Sequence, residues 1–428
     1  MITKKRIIWA GLALGVAAAA VWVTQAKAAD LGGNCCADLE ERIAELEATT
    51  VRKGNRKVTL RISGVVHKGI LFHNNADLPG ADKMSIHDGT TDPTRVRIEG
   101  EGKLNKDWAA GFVIEIAFAG GTARGLDTGK GLLSIGPGDG RNEFQIGETG
   151  TLIRHSFVYM STPMGRVSLG QQSMATDGII ELNLANTALA AKPLQTMPLN
   201  FGGALQGLYI PYDGYRATAA RWDSPTLAGF VLSASWTDND SWDAALRFAG
   251  EFGQFRVAAG IGFRDQQPQT LLNLVNVLDI LTLDVTGGHK ATSASASVMH
   301  VPTGLFATGY YSQVKYNNLS ANLAILPPLF SASFPLDAEK TTGYGVQFGI
   351  ERNWTGAGAT TLFGLWEKSD AKTFLADSKT MGVGIVQAFD ALALDLYLTG
   401  KRIETTGDGL CGVCRDTDLV TAGARIKF

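Results

Sequence analysis

The stretch TRVRIEGEGKLNKDWAAGFVIEIAFAG (residues 94–120) holds two runs of strict alternation joined by a short polar link. In the first run Arg95, Arg97, Glu99, Glu101 and Lys103 share one face, and Val96, Ile98, Gly100 and Gly102 the other. In the second, Phe112, Ile114, Ile116 and Phe118 stand together, opposite Glu115 and small residues. A period of two sends successive side chains to opposite faces of a strand, so the stretch reads as a β-hairpin with one charged and one apolar face. The scheme recurs from about Val58 onward. GQFRVAAGIGFR (253–264) sets Phe255, Val257, Ala259, Ile261 and Phe263 against Arg256, Gly260 and Arg264. ALALDLYLTGK (391–401) sets Leu392, Leu394, Leu396 and Leu398 against Asp395, Tyr397 and Lys401. The chain ends on LVTAGARIKF, another such strand, with the aromatic Phe428 last.

Alternation alone fits two architectures. A soluble sandwich buries its apolar face, whereas a membrane barrel turns it to lipid and lines its lumen with the polar one. Three features favour the barrel. The strands run to about ten residues or more, against a usual five or six. Aromatics (Trp222, Trp236, Trp242, Trp354, Trp366, Phe389, Phe428) sit at strand ends, as an interfacial girdle requires. Short links near 105–111 and at 162–165, 223–229, 250–254, 301–304, 353–359 and 389–391 alternate with longer ones near 74–92, 120–148, 173–214, 264–288, 317–340 and 404–417. More modest links fall at 237–241 and 370–378. Turns on one rim and loops on the other mark a transmembrane antiparallel β-barrel, here an all-β fold of about 16 strands. That size leaves room for an aqueous channel.

The front end sets the compartment. Lys4, Lys5 and Arg6 precede an apolar run from Ile7 to Val23, and Ala26-Lys27-Ala28 follows. This is the order of a signal peptide over residues 1–28, the alternative being a single anchoring helix. Its removal takes Lys4, Lys5, Arg6 and Lys27 with it, moving the net charge from −2 to about −6. No basic excess remains to suggest a nucleic-acid partner.

Three segments carry a family resemblance: RWDSPTLAGFVLSASW (221–236), RHSFVYMSTPMGRVSLGQQ (154–172) and the terminal Phe428. They resemble the alphaproteobacterial outer-membrane porin family, within the general bacterial porins, over residues 56–428. The resemblance implies a homotrimer of sixteen-stranded barrels in outer-membrane lipid and lipopolysaccharide, passing ions and small hydrophilic solutes by passive diffusion. It also implies a third long loop folded into the barrel, and a C-terminal aromatic read by the barrel-assembly machinery. Here that loop is 173–214, poor in charge, with Asp177 and Glu181 as its only early acids. Such a loop would set these acids at a constriction, facing a ladder of basic residues. Parity nominates Arg61, Arg95, Arg97, Arg166, Arg247, Arg256 and Arg425 for that ladder, with Arg221 less secure. Opposed acids and bases would set a transverse field that orients dipolar solutes. The alternative is that these arginines pair with nearby acids such as Glu99 and Glu101.

Residues 29–55 form a separate periplasmic segment. Leu39, Ile43 and Leu46 follow an a/d pattern, too short for a coiled coil alone but workable as a trimeric helix tethered by three barrels. A solvated single helix or a cell-wall tether are the alternatives. Cys411 and Cys414 most simply close a small disulfide in an oxidising compartment, and Cys35 and Cys36 could bridge subunits. No cofactor is expected, and calcium across Asp177 and Glu181 is left open.

Enzyme motifs are missing. There is no Gly-x-Ser-x-Gly elbow, and His67, His73, His87, His155, His289 and His300 form no His-Glu-x-x-His pair. GLDTGKG (125–131) lacks the spacing and the Ser/Thr of a phosphate loop. The expectation is therefore a channel and not an enzyme, with a substrate-specific channel or an outer-membrane hydrolase as alternatives. Tyr209, Tyr212 and Tyr215 would favour the specific channel if they tracked one lumen wall.

Overall fold

The computed structural model describes residues 58–74, 84–88, 92–118, 145–146, 151–192, 196–201, 204–209, 213–275, 281–325, 330–335, 340–371, 377–406 and 416–428. The leader, the segment bearing Leu39, Ile43 and Leu46, and all four cysteines (Cys35, Cys36, Cys411, Cys414) lie outside the described residues.

Sixteen strands succeed one another in antiparallel pairing, and the last pairs with the first. The first eight are β1 (Thr59–His73), β2 (Arg95–Lys103), β3 (Ala109–Phe118), β4 (Thr151–Thr162), β5 (Gly165–Ser173), β6 (Arg216–Asp223), β7 (Phe230–Thr237) and β8 (Trp242–Phe252). The others are β9 (Phe255–Val275), β10 (Leu281–His300), β11 (Leu305–Ile325), β12 (Lys340–Arg352), β13 (Thr360–Ala371), β14 (Asp377–Phe389), β15 (Leu394–Thr406) and β16 (Thr417–Lys427). The seam runs from Val65 opposite Lys427 to His73 opposite Leu419. One residue further, the Gly64 amide donates to the Phe428 carbonyl at 2.9 Å, and the Phe428 amide returns the bond at 3.1 Å. Closure leaves no long open edge, which hydrocarbon would not tolerate.

Short links gather on one rim because their residues close tight turns. The Asn105 side chain accepts from the amides of Asp107 (2.9 Å) and Trp108 (3.0 Å). Between β4 and β5 only Pro163 and Met164 intervene. Gly165 then takes φ 115°, where any Cβ would lie 2.2 Å from the Asp223 carbonyl. Elsewhere large rings cover glycines on the neighbouring strand, Phe112 over Gly100 and Phe428 over Gly64, filling space that a bare backbone would leave open.

The two faces separate as the alternation requires. On β1, Leu60, Ile62, Val66, Ile70 and Phe72 are exposed outward, while Val65, His67 and Leu71 are buried inward. Outward aromatics form two belts. Trp222, Phe230, Phe252, Phe255, Trp354 and Phe428 lie near the short turns, and Trp236, Trp242, Tyr311, Tyr344 and Trp366 nearer the opposite rim.

Two of the expected loops are largely strand. β9 continues to Val275 and β10 begins at Leu281, with register shifts between Gln266 and Gln269 and between Thr270 and Leu272. β11 likewise runs to Ile325 and pairs beyond the barrel with Phe330–Pro335. The spans 264–288 and 317–340 are therefore mostly extended hairpins. Pro268 and the Asn317-Asn318 pair read as loop, yet the main-chain pairing continues past both, Pro268 lying in the register shift between Gln266 and Gln269.

Candidate functional site

After β5 the chain leaves the sheet and returns at β6. Residues 174–192 fold in short i→i+3 turns: the Asp177 amide donates to the Met174 carbonyl (3.1 Å), Ile179 to Thr176 (3.2 Å) and Ala190 to Thr187 (2.9 Å). The apolar residues foreseen in this segment are buried, with Met174, Ala175, Ile179 and Ile180 fully covered. What covers them is the polar-facing side of the sheet. Gly260 and Gly262 of β9 provide the bed: a Cβ on Gly262 would stand 2.7 Å from Thr176 Cγ2 and 3.3 Å from Ile179 Cγ1. Further along, Ala185, Leu189, Ala190 and Ala191 join a buried cluster with Met299, Phe306, Phe363, Leu365, Val386 and Tyr397 from β10, β11 and β13 to β15.

Hydrogen bonds fasten the segment along the same path. Asp243 of β8 accepts from the Thr176 amide and hydroxyl, both 2.7 Å, and from the Ala175 amide at 3.2 Å. Ser295 of β10 donates to the Ile179 carbonyl, and Ser297 accepts from the Leu184 amide at 3.1 Å. At the far end, Gln347 of β12 accepts from Asn183 (3.1 Å) and Thr187 (2.8 Å) and donates to the Ala191 carbonyl (2.9 Å). Glu351 accepts from the Asn186 amide at 2.7 Å. The segment thus contacts the inner faces of β6 to β15 and leaves β16 and β1 to β5 opposite.

That remaining wall is charged. Glu115 of β3 is a hub: it accepts from Arg154 at 2.7 Å and Arg97 at 3.2 Å, with Arg95 at 3.7 Å and His155 at 3.9 Å. Asp92, just before β2, is held by Arg95 and, at 2.8 Å, by Arg425. Burial pushes its carboxyl up, but Arg95 and Arg425 outweigh this and bring the pKa down to about 2. Arg425 also reaches Asp395 at 2.7 Å, as does Lys427 at 2.9 Å.

The nominated residues therefore divide. Arg95, Arg97, Arg221 and Arg425 are in ion pairs, Arg221 with Asp223 at 2.7 Å while it also donates to the Ser173 and Met174 carbonyls. Arg247 donates to the Asp177 carbonyl at 2.8 Å. The Arg166 guanidinium lies 3.5 Å from the centre of the Tyr159 ring, a cation–π contact. Arg256 belongs elsewhere: it pairs with Glu251 beside the short turn, because parity fixes a residue's face and not its height. Arg61 is exposed near the start of β1. Several of these arginines pair with nearby acids, Arg97 with Glu99 among them.

The loop acids are also compensated. Glu181 pairs with Lys192 of the same segment at 3.0 Å. Burial pushes the Asp177 carboxyl up, but Arg216, Ser173, Lys192 and Arg154 outweigh that and hold it below the usual range. Asp213, at the segment's return, is pushed well up by burial, with Asp177 and Glu181 adding to the rise. Among the described residues no three His, Cys, Asp or Glu side chains are placed to hold a metal. Tyr215 is buried, hydrogen-bonded to Gln266 and packed with Met174, while Tyr212 and the Tyr209 side chain lie outside what is described.

Sequence reasoning missed Arg154, Glu115 and Asp92 as partners. Arg154 and His155 are adjacent and should face opposite ways, but a bulge opposite Glu115 and Ile116 breaks the period and brings both to Glu115. A recess of about 170 Å³ opens beside this cluster, lined among others by Arg97, His155, Arg166, Ser168, Gln172 and Arg221.

A closed sixteen-strand barrel with a lipid-facing apolar surface and a charged interior defines an outer-membrane β-barrel channel. The comparisons agree. Residues 13–408 match the family model described as Gram-negative porin, and the chain belongs to that family. Among solved structures it resembles the anion-selective porin of Comamonas acidovorans, with 13% identity over 87% of this chain and 100% of that one and a TM-score of 0.53. The outer-membrane channel DcaP of Acinetobacter baumannii is similar at 13% identity, covering 88% and 99%, with a TM-score of 0.53. OmpT of Vibrio cholerae in its trimer form gives 13%, 87%, 99% and 0.53. At such identity these show the shared fold. No curated sequence matches the chain.

Proposed function

We propose that the chain assembles as a homotrimer of water-filled channels, each narrowed by residues 174–192 inside the barrel, through which ions and small hydrophilic solutes diffuse passively. The observation that carries this is the fastening of that segment to polar side chains on the barrel's inner face, from Asp243 to Gln347. Those residues alternate with outward apolar ones, so whatever bonds to them occupies the lumen. Between the segment and the charged wall of β2 to β4 a solute would meet fixed charges of both signs. Such a lumen orients dipoles and sorts ions without catalysis or a cofactor. Trimeric assembly is supported by the trimer form of the similar OmpT structure.

Planar-bilayer recording tests the reading. Purified protein should insert in steps of three equal levels with a linear current–voltage relation, and folded protein that never conducts would end it. A second reading, a channel with a site for one small anion, is favoured by the recess among Arg97, Arg166 and Arg221. Saturable block of current by a single anion would select that reading.

A further inference from the structure

On the long-loop side three strands outrun their neighbours. The pairing of β8 with β9 ends at Asp265, and that of β12 with β11 ends at Lys315. Beyond these points β9, β10 and β11 continue together, and Phe330–Pro335 adds a fourth strand against β11. Register sorts this projecting sheet into two faces. Leu272, Val285, Ala321 and Phe334 stand in one row across the four strands. Leu274, Leu283, Leu323 and Ala332 form the next row on the same face. Between these rows, on the opposite face, come Asn273, Asp284, Asn322 and Ser333.

The alternation of β10 fixes which side is apolar. Each register shift places its extra residue in β9 or β11, so β10 keeps its period throughout. Leu283 and Val285 therefore share a face with His289, Ala291 and Ser293, which are buried on the lumen side. The apolar rows thus continue the inner wall beyond the barrel. A contiguous apolar face of four strands is a surface to be covered.

The same chain holds a matching piece. Thr196–Phe201 pairs with Ala204–Tyr209 as a separate two-stranded sheet. Its register sets Met197, Leu199, Phe201 and Leu208 on one face, and Pro198, Asn200 and Gly207 on the other. A hairpin alone is marginal in water and gains stability only against a partner. Both of its feet are fixed below the projecting sheet. On one side the Ala191 carbonyl accepts from Gln347 of β12. On the other, the Asp213 carbonyl accepts from Arg264 and the Tyr215 hydroxyl donates to Gln266, both of β9. Arg264 is opposite Ala291, which places Val285 to Leu281 about 20–34 Å further along β10. From Asp213, Tyr209 and Ala204 reach up to about 14 and 31 Å. The two spans overlap.

We propose that the hairpin 196–209 lays its apolar face on the apolar rows of the projecting sheet, and that this two-layer cap narrows the channel mouth on the long-loop side. Both surfaces are apolar, so salt leaves the contact in place, unlike the ion pairs of the wall below. The proposal rests on the channel reading above.

The test uses the full chain carrying Cys35→Ser, Cys36→Ser, Cys411→Ser and Cys414→Ser, with its conductance in planar bilayers recorded first. Leu199→Cys is then combined with Leu283→Cys, and in a control Asn200→Cys replaces Leu199→Cys. A bis-methanethiosulfonate reagent about 5 Å long bridges thiols on sheets packed about 10 Å apart. Conduction before bridging shows that each variant is folded, and Leu208→Cys with Leu323→Cys serves where the first pair does not conduct. Mass spectrometry of the digested protein should find the bridge at least about fivefold more often through Leu199→Cys than through Asn200→Cys, because only one hairpin face meets the sheet. Bridging should lower the conductance by about half or more, and reduction should restore it. No bridge, an equal bridge through Asn200→Cys, or a bridge that leaves the conductance unchanged overturns the cap. A cysteine-free chain that folds but never conducts counts instead against the channel reading.

Discussion

Arg166 and Arg256 were alike in the sequence, each a lone arginine at a lumen-facing position, but their surroundings differ. Arg166 lies on the Tyr159 ring at the mouth of a recess, whereas Arg256 is exposed beside Glu251. Neutralising Arg166 removes a cation from the confined part of the lumen, so Arg166→Gln should move the salt-gradient reversal potential toward cation preference. Arg256→Gln should leave it within error, since exposed pairs at a wide rim are screened. Asp92 predicts an acid response. Its carboxyl is held near 2 in the folded chain against an ordinary 3.8, so its contribution is complete above about pH 4 and lost as the pH falls through about 2. The contribution is on the order of 2 kcal/mol. Asp92→Asn should flatten the fall in the barrel's heat-denaturation temperature between pH 4 and pH 2, and a slope equal to that of the native chain would remove Asp92 from the acid-sensitive seam.

At the scale of elements, the segment 174–192 depends on few anchors. Asp243 accepts the Thr176 amide and hydroxyl, and it shares the Ala175 amide with the Ser235 hydroxyl. Asp243→Ala leaves the two Thr176 donors buried without that acceptor, at about 1–3 kcal/mol each, while the Ala175 amide keeps Ser235. The expected outcome is a noisier open-channel current and a lower denaturation temperature, with the strand content by circular dichroism unchanged. A quiet native-like current would show that the other anchors suffice. Strand positions were legible because lipid on one side and water on the other impose a period of two, as in Arg95–Lys103 and Phe255–Arg264. The parts that were not legible lie where a local residue choice or a bulge interrupts that period. The hairpins beyond Arg264 and Tyr316 are interrupted by Pro268 and by Asn317-Asn318, which read as loop although pairing continues past them, and the bulge at β4 sends Arg154 and His155 to one acid. Pairing partners such as Glu115 and Asp395 depend on shear between strands far apart in sequence, which alternation does not encode.

For the whole molecule, the seam joins the first strand to the last, and the charge network crosses it: Asp92, before β2, holds Arg425 of β16, which reaches back to Asp395 of β15. Closure and interior electrostatics are therefore one structure, and most interior bases carry their counter-charge within reach. The wall glycines bear on a different property, the largest molecule the channel admits. Gly260 and Gly262 lie behind the segment proposed to narrow the lumen, and they touch its buried side. Adding a methyl at Gly262 would wedge Thr176 and Ile179 off the wall toward the channel axis. Gly262→Ala should lower the size cut-off for neutral sugars in a vesicle-swelling assay without altering a single charge, and an unchanged cut-off would mean that the segment yields elsewhere. The sieve is gauged from behind, by atoms that its wall omits.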